Sequence, residues 1–141
     1  MEPDSGPAIE LLLLSLAALL GLVHSIAASQ SASLQRGYRV PVGAGERPLV
    51  PLTGAAARLE RAMRNYIETF PLFAAMVLAA IVVHREGDLT FWGTHLYFWG
   101  RLAYLVFSAR DRPVARALAW NVATIGIVAV GAALWIEPAP L

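Results

Sequence analysis

The segment RLERAMRNYIETFPLF, Arg58 to Phe73, gathers residue types that bind small anionic ligands. Arg61, Arg64, Asn65 and Glu68 stand at i, i+3, i+4 and i+7, one continuous stripe if the segment is helical. Guanidinium forks take carboxylates bidentately, an amide reads a peptide group, and a carboxylate holds an ammonium. A further charge, Arg101, lies in FWGTHLYFWGRLAYLVFSA, with Tyr104 and Ser108 continuing its face at i+3 and i+7. Arg116 opens the last apolar run, with Trp120 one turn on. An arginine beside a ligand thiol stabilises its thiolate and so activates it as a nucleophile. Several guanidiniums, one carboxylate, one amide and one phenol suit a small, polyanionic, amide-containing ligand.

The elements that carry these residues are membrane helices. Of 141 residues, 57% are hydrophobic and 15% charged, and the mean hydropathy is +0.58. Soluble domains average about 45–50% apolar and about 25% charged. Four apolar runs predict spans over roughly residues 9–34, 55–83, 89–109 and 114–136. The predicted fold class is an all-α integral membrane protein, one four-helix transmembrane bundle over residues 1–141. A charge at mid-membrane costs about 2.5–3.5 kcal/mol even on the lenient insertion scale, so the stripe must face protein or a wet cavity. Pro71 removes the hydrogen bond to the Ile67 carbonyl beside the stripe, which predicts a bend there. Glu68 lies about 15 Å along its span from Arg58, and Arg101 about 13 Å from Arg110, at 1.5 Å per residue. The two spans run antiparallel, so these depths match and Glu68 and Arg101 are expected to meet or to share a ligand.

The links add orientation. Residues 34–55 hold Pro41, Pro48, Pro51 and four glycines, an irregular loop long enough for a role in substrate access. Arg36, Arg39, Arg47 and Arg58 flank the first link, and Arg110, Arg112 and Arg116 the third, whereas Glu2, Asp4 and Glu137 mark the termini. The positive-inside rule puts the first and third links in the cytoplasm and both termini on the other side. Met1 to Pro7 carries no basic residue, so the first run reads as a retained helix and not a signal peptide. The net charge of +1 gives no reason to expect a nucleic-acid partner, and the absence of Cys excludes disulfides and thiolate ligands. His24, His84 and His95 lack ligand spacing, so no metal is expected. Gly126 and Gly131, among many alanines, suggest close helix contacts in the fourth span.

The pattern R-x-x-R-N-x-x-E-x-x-P-L-F, an Arg-x-x-Tyr in the third span and P-x-x-R opening the fourth together resemble the MAPEG superfamily, the membrane-associated proteins in eicosanoid and glutathione metabolism. The resemblance covers about Arg36 to Trp120 and is greatest to the small bacterial members, which implies a bacterial inner membrane. It implies a homotrimer with glutathione, as thiol cosubstrate, between subunits near the cytoplasmic face. By matching motif positions, Arg61, Asn65 and Glu68 would bind glutathione with Arg64 adjacent, Arg101 and Tyr104 would line the site, and Arg36 would be a further contact. Arg116 matches the family arginine associated with thiol activation. The implied activity is a glutathione transferase or peroxidase acting on lipophilic electrophiles or lipid hydroperoxides. Two positions depart from the pattern: Ser108 stands where many members have Tyr, and Ala117 where many have Ser or Thr. Both remove hydroxyls near the thiol.

Other readings stand beside this one. The stripe can be a ligand-free packing network, with Arg101 as the structural partner of Glu68 and Tyr104 a packing residue. Arg64 and Arg116 can be headgroup anchors, as Arg110 and Arg112 are expected to be. A non-catalytic protein of the same fold, binding lipid headgroups or serving as an accessory subunit, is the alternative that Ser108 and Ala117 favour. A solute transporter is disfavoured by the apolar second half of span two, FPLFAAMVLAAIVV.

Overall fold

The computed structural model describes residues 9–38 and 49–136. Four helices follow in order: α1 (Ile9–Arg36), α2 (Gly54–Val82), α3 (Asp88–Ala109) and α4 (Pro113–Ile136). No strand occurs among the described residues. Arg39, Arg47, the centre of the first link and the acidic positions Glu2, Asp4 and Glu137 lie outside them.

The helix ends follow from local chemistry. Gly37 (φ +87°), His84 (φ +53°) and Asp111 (φ +55°) each adopt the left-handed conformation just after a helix. That geometry folds an N–H back onto the last turn: Gly37 to Ser33 at 2.8 Å, Arg85 to Ala80 at 2.9 Å, Arg112 to Phe107 at 3.0 Å. Pro113, with no N–H to satisfy, opens α4. α2 runs unbroken through Pro71.

Arginines join the ends of neighbouring helices. Arg58 Nε donates to the Ser108 carbonyl at 3.0 Å, and its guanidinium lies 3.5 Å from Asp111, tying the start of α2 to the end of α3. Arg85 donates to the Leu134 carbonyl at 2.5 Å, in the last turn of α4. The Thr90 hydroxyl, 2.8 Å from the buried Glu10 carboxyl, joins the starts of α3 and α1. Neighbours therefore alternate in direction, with the first and third links at one end. α2 and α3 form the centre: each touches every other helix, whereas α1 and α4 do not meet.

Polarity is inverted relative to a soluble bundle. α3 buries Thr90, Gly93, Thr94, Tyr97, Gly100, Arg101 and Ser108, while Trp92, Trp99 and Val106 face outward. α1, α2 and α4 are each long and apolar enough to cross a membrane. Packing of α3 on α4 depends on small residues. A Cβ on Gly100 would lie 2.8 Å from the Ala123 nitrogen, and one on Gly126 2.5 Å from the Gly93 carbonyl. This contact turns the polar edge of α3 away from α4 and onto α2.

Candidate functional site

Arg101 has 0% exposure. It donates from one terminal nitrogen to Asn65 Oδ1 at 2.7 Å and from the other to the Thr69 hydroxyl. Its Cζ lies 5.7 Å from the Tyr66 ring centroid, 5.5 Å from that of Tyr97 and 5.6 Å from that of Tyr104. Among the described residues no carboxylate pairs with it; the ion pairs there are Arg58–Asp111 and Arg64–Glu60. A buried cation is tolerated only where its surroundings replace water, and here three π faces and two oxygens do so.

The rings are held in turn. The Tyr66 hydroxyl donates to the Ala17 carbonyl of α1. Its ring packs at a tilt against His24, centroids 4.4 Å apart, in a slot opened by Gly21, where a Cβ would come within 2.8 Å of Tyr66 Cε1. Tyr97 stacks on Phe73 at 3.8 Å. His24 Nδ1 lies 2.9 Å from the Leu20 carbonyl, an acceptor only, so Nδ1 carries the proton.

The stripe on α2 divides along its length axis. Asn65 is half-buried, whereas Arg61, Arg64 and Glu68 are exposed. Arg64 reaches Glu60 at 3.4 Å. The side chains of Arg61 and Glu68 make no hydrogen bond or ion pair among the described residues. The expected meeting of Glu68 with Arg101 is thus corrected: Arg101 takes Asn65 and Thr69 instead. These two stand at i and i+4 on the edge of α2 facing α3, and Glu68 lies about 100° around the helix from Thr69, on its outer side.

Tyr104 is half-buried beside Arg101. Ser108 is buried and its hydroxyl donates to the Tyr104 carbonyl at 2.7 Å, so its proton is committed to its own helix. Arg116 is half-buried, and its side chain makes no hydrogen bond or ion pair among the described residues. Arg36 donates from Nε to the Val50 carbonyl at 2.7 Å, beside a reciprocal clasp between Gln35 and Thr53 at 2.6 and 3.0 Å. These contacts close the base of the first link. The fold therefore unites Asn65, Arg101 and Tyr104, sets Arg61, Arg64 and Glu68 on the outer face of α2, and leaves Arg116 and Arg36 as separate neighbours at the same end.

Sequence reasoning missed Thr69, Tyr66, Tyr97 and His24. Thr69 had a signal: a hydroxyl four residues after Asn65 and two before Pro71. Tyr97 stands four residues before Arg101, on the same face. His24, within a Leu-rich helix, had none. Among the described residues, no three His, Asp or Glu side chains gather as a metal site requires. On the far side of α3, an apolar trough of about 390 Å³ runs between Trp99, Ala103, Phe107, Leu118 and Val122, and continues past Ala115 to Arg112.

Inverted polarity, three apolar spans and a buried polar cluster define a multi-pass α-helical integral membrane protein. The model of the MAPEG family matches residues 13–136, and the chain belongs to that family. It is thereby related to membrane proteins of glutathione and eicosanoid metabolism. A search of curated proteins found no significant match.

Proposed function

We propose that this protein is a homotrimeric, glutathione-dependent transferase or peroxidase acting on lipophilic electrophiles or lipid hydroperoxides. One observation carries the reading. Arg61 and Glu68 are exposed, without partners among the described residues, on a helix apolar enough to span a membrane. Hydrocarbon cannot solvate them, so a polar ligand and a second protomer must cover that face. Glutathione offers the complementary groups: carboxylates for Arg61 and Arg64, an ammonium for Glu68, and peptide carbonyls for Asn65. Tyr104 lines the pocket, and Arg36 approaches from the first link. Arg116, without a hydrogen-bond or ion-pair partner among the described residues, holds the thiol as thiolate. The thiolate attacks the electrophilic carbon and displaces its leaving group with the bonding electron pair, or attacks the peroxide oxygen and releases the alkoxide, the resulting sulfenic acid being reduced to the disulfide by a second glutathione. The apolar trough beside Trp99 supports lateral entry of the second substrate from the bilayer. The membrane is a bacterial inner membrane, with the Arg-rich first and third links in the cytoplasm.

The alternative is a non-catalytic protein whose site holds a lipid headgroup, or an accessory subunit. Ser108, bonded to its own helix, and Ala117 favour it. The test is an assay of purified protein with glutathione and a chlorinated nitroaromatic or a lipid hydroperoxide. Arg116→Ala is expected to lower kcat at least about tenfold by removing the thiolate's cation. Equal turnover by the variant would end the catalytic claim, and no measurable heat on calorimetric titration with glutathione, in protein that retains phospholipid, would support the alternative.

A further inference from the structure

We infer that Arg101 is a positioning residue that does not touch the ligand: with Thr69 it locks the Asn65 amide so that the site accepts only a hydrogen-bond acceptor at that position. A guanidinium carries donors and no acceptor, so only the carbonyl oxygen of Asn65 can face it. The 2.7 Å contact from Arg101 to Asn65 Oδ1 therefore fixes the amide with its NH₂ turned from the bundle interior. That NH₂ meets no acceptor in the described chain, and Asn65 is half-buried, on the inner edge of the exposed Arg61–Glu68 face. Arg101, at 0% exposure, is itself sealed from that face.

Thr69 completes the lock. Its hydroxyl accepts from the second guanidinium nitrogen and donates its own proton toward main-chain carbonyls, Oγ1 lying 3.1 Å from that of Asn65 and 3.3 Å from that of Tyr66. The hydroxyl is thus oriented by α2 before it meets Arg101, and two fixed acceptors four residues apart hold the guanidinium plane. No carboxylate among the described residues neutralises Arg101. Its field therefore adds to the donor character of Asn65, and a carboxylate or peptide carbonyl is preferred there to an ammonium or hydroxyl donor.

This rests on the glutathione reading only for the ligand's name; the Arg101–Asn65–Thr69 geometry does not depend on it. The test uses full-length protein in detergent or nanodiscs, with glutathione as probe. Thr69→Val, which keeps the shape and removes the oxygen, is expected to raise KM for glutathione about tenfold with kcat within about twofold, and Thr69→Ser to restore it. Asn65→Asp gives Arg101 a counter-ion and removes the outward donor. It is expected to unfold at or above the wild-type temperature while glutathione affinity falls about tenfold or more. An unchanged KM in Thr69→Val, no rescue by Thr69→Ser, or full affinity in Asn65→Asp overturns the proposal. Failure of the wild type to bind glutathione overturns the ligand assignment instead. Thermal unfolding then decides the geometry: Asn65→Asp at or above wild type upholds it, and a lower temperature overturns it.

Discussion

Arg101 carries its charge without a carboxylate partner among the described residues, and the groups that make this possible lie on α2 and on its own helix, with α1 holding Tyr66 in place. Tyr66 is the keystone of that arrangement, bonded through its hydroxyl to α1, packed at a tilt against His24 and offering its ring to the guanidinium. Tyr66→Phe keeps the ring and deletes the bond to Ala17. It is expected to lower stability by about 1 kcal/mol, read as unfolding in detergent, with glutathione affinity unchanged because the cation–π face remains. A large loss of affinity would mean that the hydroxyl, and not the ring, sets the position of Arg101.

At the scale of elements, the contact of α3 with α4 decides which edge of α3 looks at α2. Gly93, Gly100 and Gly126 leave no room for a side chain, since added Cβ atoms would lie within 2.8 Å of neighbouring atoms. Gly131 differs: a Cβ there would stand 3.6 Å from Met76 Sδ, an ordinary contact. Gly100→Ala or Gly126→Ala is therefore expected to destabilise by about 1–3 kcal/mol through overpacking and helix displacement. Gly131→Ala is expected to be neutral, or to gain up to about 1 kcal/mol from its better helix propensity. Thermal unfolding of the three variants in one detergent separates these outcomes. If Gly126→Ala behaves like Gly131→Ala, α3 and α4 are not held at this distance in the membrane.

For the whole molecule, the exposed charges on α2 make a lone chain unsuited to lipid. Leu72, 56% exposed, follows Glu68 by one turn on the same face. The chain contains no cysteine, so Leu72→Cys introduces a single reactive thiol. A short bismaleimide applied to intact membranes is expected to give covalent dimers, and native mass measurement a particle three times the 15.2 kDa chain. Monomer alone in both experiments would remove α2 as the face between protomers.

The amino-acid sequence alone determined the number of helices and nearly all their limits, and it placed Arg61, Arg64 and Glu68 together on one face of α2. Apolar run length answers to bilayer thickness, and a repeat of 3.6 residues fixes which side chains share a face. It also held enough of the motif, from Arg61 to Pro71, to point to the family. Periodicity sets relative azimuth within one helix but not the rotation of that helix toward its neighbours. In lipid, interior and exterior are both apolar, so hydropathy does not supply that missing angle. Only the tertiary structure therefore decided that Asn65 and Thr69, rather than Glu68, meet Arg101. The glycines of α3 and α4 and the slot at Gly21 set helix separation and rotation, and with them which polar atoms lie within hydrogen-bond reach.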